Sequence, residues 1–573
     1  MVKLTIDNRA IEVPAGTTIL EAAKQAKIHI PTLCYYKDLN EIGACRVCVV
    51  EVEGKDQLVA ACNTPAADDM EIRTNSPAVR AARRNNVELI LSQHKVECTS
   101  CVRGDNCTLR DLSNMLGVVQ ENFDKKYDTM PWPQNFPLIR DNSKCIKCMR
   151  CIQVCDNIQS LNVWDVAYPG TQATVKVHHN KPIEQANCSL CGQCITHCPV
   201  GALHERDDIQ QVIDAIADPE ITTVVQIAPA IRTAWGEAFH MTPEEATVER
   251  LGAVLKHMGF DYVFDTTFSA DLTIMEEGSE FLEFIQQKNP EDLPMFTSCC
   301  PGWVRFTKLE FPELADHLST AKSPQQMFGA VTKNWFAKQK NLDPKKVFSV
   351  SIMPCLAKKE EAALPSMKND FGTADVDVAL TTRELDRMVK SDFLDPRDFE
   401  EIELDSPLGT GSGAGVIFGA TGGVMEAALR TAYYLVNGKN PEPDHFKAVR
   451  GQNGRKEVTI ELGGKPIRAA VVSGLANTRQ LIEDLKDGKC QFDFVEIMAC
   501  PGGCVGGGGQ PICDGEEMAA RRAPTLYKLD MHDQLRFSHE NPSIQEIYRE
   551  YYRKPLSELA HHQLHTVHNV EEL

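Results

Sequence analysis

Two cysteine runs constrain this chain more than any other feature: Cys145-x2-Cys148-x2-Cys151-x3-Cys155 and Cys188-x2-Cys191-x2-Cys194-x3-Cys198-Pro199. A fold that contains them must gather each set of thiols around a shared centre, and gaps of two and three residues suit iron-sulfur cubes. The chain holds 22 cysteines in 573 residues. In a small secreted protein that density would read as a disulfide framework, but in a long chain with short repeated gaps it reads as metal ligation. Fifteen of the cysteines, Cys34 to Cys198, precede residue 200 and seven follow. The first third looks like wiring and the rest like a globular body.

The length implies several domains. Composition shifts divide the chain at 1–78, 79–125, 126–209 and 210–573. The charge balance, 60 Lys+Arg against 80 Asp+Glu for a net charge of -20, speaks against a nucleic-acid partner and for a soluble protein. No apolar run reaches the roughly 18 residues that a membrane span needs, and Met1 to Asn8 lacks a signal-peptide plan. The expected compartment is the cytoplasm.

Residues 2–6 and 10–13 predict a hairpin around Asp7-Asn8, and the stretch from Thr17 predicts a helix. Cys34, Cys45, Cys48 and Cys62 follow. Four thiolates on a small β-plus-helix unit suit a 2Fe-2S cluster, although the spacing departs from the plant-type run. The competing reading is structural zinc, which usually pairs two CxxC knuckles where this segment has one. The segment resembles the β-grasp 2Fe-2S domain that opens the large iron-sulfur subunit of respiratory complex I and many hydrogenases. A helix over 77–93 leads to His94-x3-Cys98-x2-Cys101-x5-Cys107. A lone His is more often a surface or core residue than a ligand, yet the resemblance implies that this His and the three cysteines hold a 4Fe-4S cluster. In two-cluster ferredoxins the fourth Cys of each run crosses to the other cluster. That assigns Cys145, Cys148, Cys151 and Cys198 to one cube, and Cys188, Cys191, Cys194 and Cys155 to the other.

From about residue 210, strands and amphipathic helices alternate. Strands are expected at 222–227, 262–265, 293–296, 347–353, 376–380, 468–472 and 492–498, with helices at 244–257, 273–288, 324–340, 383–390 and 425–437. The alternation predicts a multidomain α/β chain whose large body has doubly wound parallel sheets. Sites in such folds gather beyond the carboxyl ends of strands. Cys300, Cys355 and Cys500 stand there. The glycine-rich stretches 409–415 and 502–509 fit neither G-x-G-x-x-G nor a P-loop, so their backbone is expected to pack around a bulky inorganic group.

Thr297-Ser-Cys-Cys-Pro-Gly-Trp303, Met353-Pro-Cys-Leu-Ala-Lys358-Lys359 and Met498-Ala-Cys-Pro-Gly-Gly-Cys504 resemble the three signatures of the FeFe, or iron-only, hydrogenases. The resemblance implies reversible proton reduction and dihydrogen oxidation at an H-cluster: a 4Fe-4S cube on Cys300, Cys355, Cys500 and Cys504, bridged by Cys504 to a two-iron subsite with CO, cyanide and a dithiolate-amine bridge. It implies that Cys299 passes protons and that Glu277, Ser319 and Glu280 relay them; Glu277 and Glu280 are three apart on one helix face. By itself either Glu reads equally well as a solvated helix charge. Lys358 would serve a bound cyanide, and Pro229, Ala230, Gln325, Met353, Phe418 and Met498 would complete the pocket, where Met and Phe otherwise read as plain core.

Three departures stand out: Ala230 where monomeric members have Ser, Pro501 where they have His, and Phe284 near the place of the relay's outer arginine. They resemble the catalytic subunits of multimeric, NAD-linked, electron-bifurcating hydrogenases. The implied cofactors are the H-cluster, one 2Fe-2S cluster and three accessory 4Fe-4S clusters. The implied partners are ferredoxin or flavin- and NAD-binding iron-sulfur subunits, together with maturation proteins. The competing readings are a hydrogenase-like sensor or iron-sulfur assembly protein without fast turnover, and an electron-transfer subunit that would leave the three signatures without a purpose.

Overall fold

The computed structural model describes residues 1–119, 122–289 and 292–572. Asp7 and Asn8 take φ of 44° and 65°, the left-handed pair that a two-residue hairpin needs. They fold β1 (Val2–Ile6) onto β2 (Arg9–Val13), from Val2 opposite Val13 to Ile6 opposite Arg9. With β3 (Val49–Val52), β4 (Val59–Ala60) and β5 (Glu71–Arg73) they form a sheet of order β2-β1-β5-β3-β4, in which β1 and β5 are parallel. Thr18 caps the helix Ile19–Gln25 by accepting from the Glu21 amide, and Ile19, Leu20, Ala22 and Ala23 of that helix are buried in the same core as Leu4 and Ile6. The helix Pro77–Ser92, capped by Ser76 with Pro at its first position, then delivers the chain to His94.

The two cysteine runs lie between β6 (Leu138–Arg140) and β9 (Leu203–Glu205), which pair antiparallel, while β7 (Trp164–Ala167) pairs with β8 (Thr174–Val177). Each run turns through a left-handed residue into a short helix: Met149 (φ 64°) before Arg150–Gln153, and Gly192 (φ 72°) before Gln193–Thr196. The two halves repeat one local design.

The large body has two four-stranded sheets. In the first, β11 (Tyr262–Asp265), β10 (Thr222–Ile227), β13 (Val347–Met353) and β14 (Val378–Thr381) lie side by side, all parallel. In the second, β12 (Met295–Phe296), β17 (Phe494–Met498) and β16 (Lys465–Ser473) are parallel, and β15 (Arg455–Leu462) closes the edge antiparallel to β16. The expected wholly parallel sheets thus gain an antiparallel edge. Its strand alternates polar and apolar residues, as a one-sided edge allows, and lacks the continuous apolar run that marks the others. The helix expected from residue 273 starts at Thr266, where Asp265 accepts from the Thr267 amide. Its first turns bury Thr266, Thr267, Ser269, Asp271 and Thr273, so polar residues hide its beginning. The helix expected over 324–340 runs Pro324–Val331, loosens into a π turn at Thr332–Phe336, and ends at Ala337–Gln339.

The glycines of both stretches are crowded by the protein itself, while Cys504 of the second stretch lines the central cavity. A Cβ on Gly411 or Gly415 would strike Thr267, and one on Gly413 would strike Asp530. In the second stretch, a Cβ on Gly507 would meet the Pro354 carbonyl at 2.0 Å and one on Gly508 the Cys191 carbonyl at 2.2 Å. These glycines let backbone approach backbone and helix. Gly508 does so across the seam between the body and the second cysteine run. Among the described residues no helix is long and apolar enough to cross a membrane.

Candidate active site

The carboxyl ends of β10 and β13 from one sheet, and of β12 and β17 from the other, open onto one cavity of about 80 Å³. Its lining includes Pro229 and Ala230 after β10, Cys299 and Cys300 after β12, and Met353 and Cys355 at the end of β13. Met498, Cys504, Gln325, Lys358 and Phe418 join them. Strand β12 ends at Phe296, and four residues without regular structure, Thr297 to Cys300, lead into the helix Pro301–Glu310, with Cys300 as its N-cap and Pro301 at its first position. The adjacent cysteines thus stand in the short loop between a strand end and a helix start. Trp303 Nε1 donates to the Thr297 carbonyl (3.0 Å) and Ser298 Oγ to the Ala321 carbonyl (2.8 Å), fixing that junction.

Cys300, Cys355, Cys500 and Cys504 stand close enough for their thiols to repel one another when charged. Burial is the larger cause: it pushes Cys355 up to about 12 and Cys500 and Cys504 upward as well. Four thiolates in one buried place need cationic compensation. Lys358 opposes the upward shift at Cys300, Cys355 and Cys504, as do amide donors at the helix start beside Cys300. A cationic iron group fits this donor set and the largely apolar lining.

The ammonium of Lys358 is not free. It donates to Glu361 Oε2 (2.8 Å) and the Cys299 carbonyl (3.3 Å), in a pair whose side chains are both nearly buried. Gln325 is likewise engaged: Nε2 donates to Glu361 (3.0 Å) and the Lys358 carbonyl (3.2 Å), while Oε1 accepts from Ser351 Oγ (2.7 Å). Glu361 and Ser351 were not singled out in the sequence. Their only signal was that two polar side chains expected in an apolar pocket need partners.

Behind Cys299 lies Glu277, fully buried, with the Ser319 hydroxyl and the Ser298 amide near its carboxylate but no well-formed hydrogen bond among the described residues. Burial first, and then the charge of Glu280, push it up to about 8, against the pull of the Ser319 hydroxyl and the Ser298 amide. Ser319 Oγ donates to Glu280 Oε2 (2.6 Å). Burial and Glu277 likewise push the Cys299 thiol up, so this thiol holds its proton. Phe284 is half-buried against the hydrophobic cluster that includes Phe281 and Met295, with the Lys288 ammonium 5.7 Å from its ring centre.

The accessory cysteines form separate groups. Cys34 stands with Cys45, and Cys48 with Cys62. His94, Cys98, Cys101 and Cys107 line one small cavity. His94 Nδ1 lies 2.8 Å from the Lys144 carbonyl, which fixes its proton there and leaves the Nε2 lone pair able to bind a metal. Cys198 neighbours Cys145, Cys148 and Cys151, while Cys155 neighbours Cys188, Cys191 and Cys194. Buried Arg150 and Asn40 bind these groups together. Arg150 donates to the carbonyls of Leu33, Cys34 and Tyr35 and pairs with Asp514; Asn40 donates to the carbonyls of Cys34 and Cys148. At the other end, Cys500 Sγ lies 3.6 Å from the Cys191 carbonyl.

A fold of two strand-end sheets around such a thiol-lined cavity, preceded by iron-sulfur domains, defines a hydrogenase of the iron-only class. Residues 221–508 match the C-terminal domain of the iron-only hydrogenase large subunit, and residues 516–570 match the iron hydrogenase small subunit. The 2Fe-2S iron-sulfur cluster binding domain matches residues 1–77. Residues 83–121 match the NADH-ubiquinone oxidoreductase-G iron-sulfur binding region, and 137–204 the ferredoxin-like domain of NADH-quinone oxidoreductase subunit 3. The chain belongs to the FeFe hydrogenase family of oxidoreductases. It is 44% identical to the NADP-reducing hydrogenase subunit HndD of Solidesulfovibrio fructosivorans, over 99% of this chain and 98% of that one. It is 38% identical to iron hydrogenase 1 of Clostridium pasteurianum, over 96% of each. Among solved structures, a variant of the FeFe-hydrogenase HydA1 from Chlamydomonas reinhardtii aligns with a TM-score of 0.57 and 41% identity, covering 63% of this chain and 98% of that one.

Proposed function

We propose that this chain interconverts protons and dihydrogen at an H-cluster held by Cys300, Cys355, Cys500 and Cys504, with Cys504 as the bridging thiolate. The observation that carries the reading is one cavity lined by Cys300, Cys355 and Cys504, with Cys500 beside them, and by a further, proton-holding Cys299. When bound, the group supplies redox-active iron and an amine base. The chain's own residues do the rest. Pro229, Ala230, Met353, Phe418 and Met498 exclude water. Lys358, held by Glu361, keeps positive charge at the cavity wall. Cys299, Glu277, Ser319 and Glu280 carry protons to and from it; Glu277, poised at about 8, is matched to uptake and release near neutral pH.

Electrons would pass along one 2Fe-2S cluster on Cys34, Cys45, Cys48 and Cys62, a 4Fe-4S cluster on His94, Cys98, Cys101 and Cys107, and two cubes on the crossed cysteine sets. The seam at Cys191, Gly192, Gly508 and Cys500 supports entry into the body from the second cube. In this reading the wiring occupies 1–78, 79–125 and 126–209 and the catalytic body 210–573, in a cytoplasmic protein. Because a similar chain is a subunit of an NADP-reducing hydrogenase, we infer that electrons are exchanged with flavin- and nicotinamide-binding subunits, with ferredoxin as a second carrier. The matured protein, given reduced methyl viologen, is expected to evolve dihydrogen. Intact clusters with no dihydrogen would transfer the chain to the sensor or assembly class. Adding candidate flavoprotein subunits then tests for dihydrogen-dependent reduction of NAD or NADP.

A further inference from the structure

The tail of the chain lies across the residues that follow β12. Ala321 pairs antiparallel with His565, the Lys322 amide donates to the Leu564 carbonyl (2.8 Å), and the Thr566 amide donates to the Thr320 carbonyl (2.8 Å). This register sets Thr320 Oγ1 2.8 Å from Glu280 Oε1 and 2.8 Å from His565 Nδ1. The other ring nitrogen of His565, Nε2, lies 3.1 Å from Glu276 Oε2. Glu276 is fully buried and also accepts from the Tyr548 hydroxyl (2.5 Å) and the Leu556 amide (2.8 Å). One helical turn before His565, exposed His561 brings its ring centre to 4.4 Å from that of His565.

We propose that Thr320 and His565, with Glu276 as counter-ion, form the outer limb of the proton path, so that the C-terminal segment extends it from Glu280 toward the surface beside exposed His561. The inference rests on reading Glu280 as a relay group. It follows from the donor and acceptor count. A threonine hydroxyl accepts and donates at once, so Thr320 passes a proton without leaving its place. His565 faces Glu276 at one nitrogen and Thr320 at the other, and the imidazolium form gives both contacts an N–H. A proton taken up at Nε2, the nitrogen that faces Glu276, makes that imidazolium. Its Nδ1–H then goes to Thr320 Oγ1 as the Thr320 hydroxyl proton goes to Glu280 Oε1. One charge moves inward, only N–H and O–H bonds exchange, and dihydrogen oxidation runs the same steps outward. The titratable groups around His565 are Glu276 with Tyr548 behind it, Glu280 across Thr320, and His561 on its own helix.

The test uses matured full-length protein and follows both dihydrogen turnover and the rate at which the cofactor's infrared bands respond to a pH step without turnover. His565→Gln and Thr320→Val should slow both by roughly 10-fold or more, with iron content and band positions unchanged. His565→Ala should be slow and regain speed when imidazole is added. If the three variants keep wild-type rates while Glu280→Gln is slow, the outer limb lies elsewhere. If Glu280→Gln is also at the wild-type rate, the relay reading itself fails. A slow His565→Ala that imidazole does not accelerate would overturn the shuttle and leave His565 a structural strut.

Discussion

Glu277 is where the proton economy of the site is most exposed to measurement. Its folded value of about 8 stands above the roughly 4.3 of a free glutamate. Between those values the folded chain holds a proton that the unfolded chain has lost, so stability falls as pH rises through that window. Glu277→Gln removes the loss. It should raise the unfolding midpoint of the protein at pH 8 but not at pH 4, by an amount equivalent to a few kcal/mol on the order expected from linkage; equal midpoints at pH 8 would deny that the carboxyl is held neutral. Function runs the other way. Wild-type dihydrogen evolution should decline above about pH 8, as Glu277 loses its proton, and Glu277→Gln should nearly abolish it. Cys299→Ser should keep the infrared bands and cut turnover by roughly 100-fold or more; unchanged turnover would remove Cys299 from the path. At this scale the sequence was informative where chemistry is local. Adjacent Cys299 and Cys300 line the same cavity, and the proposed division into proton holder and cluster thiol follows the sequence motif. The partners of Lys358 and Gln325 were not legible, since Glu361 and Ser351 become neighbours only when strand ends and helices assemble.

The elements that matter most are the ones that bring separate stretches into contact. Arg150, fully buried, joins the Cys34 loop, the first cysteine run and Asp514. Arg150→Met would take the Arg150 donor from the Leu33 and Tyr35 carbonyls and the paired cation from Asp514, a loss of about 3–5 kcal/mol for a buried pair broken on one side. Amide hydrogen exchange at Leu33–Tyr35 should rise markedly while exchange within β1 stays slow; unchanged exchange would show that other contacts hold the domain. Gly508→Ala would put a Cβ 2.2 Å from the Cys191 carbonyl and 2.5 Å from Gly192 Cα. Overpacking of this kind costs about 1–3 kcal/mol. Reduction of the catalytic cluster through the accessory chain should slow, read by stopped-flow with reduced ferredoxin. Retained speed would move the entry point away from this seam. The strands bearing the cysteines were readable as apolar runs ending in chemistry. The edge strand β15 and the polar start of the helix at Thr266 were not, because a one-sided edge and a fully enclosed helix both break the period that marks an element.

Across the whole molecule, the cysteine spacing defines the order of the iron-sulfur modules from the amino terminus to the body, and the fold closes that order at Cys191 and Cys500. What spacing alone did not reveal was the part played by the last fifty residues, since contacts such as Thr320 with His565 span 245 positions. The central claim is that Cys300, Cys355, Cys500 and Cys504 hold a cube joined to a two-iron group bearing CO and cyanide. Infrared spectroscopy of anaerobically matured protein, with iron counted on the same sample, tests it directly. CO and cyanide bands are expected together with iron beyond the accessory clusters, and those bands should be lost in Cys355→Ala. A matured protein with full accessory clusters and no such bands would contradict it.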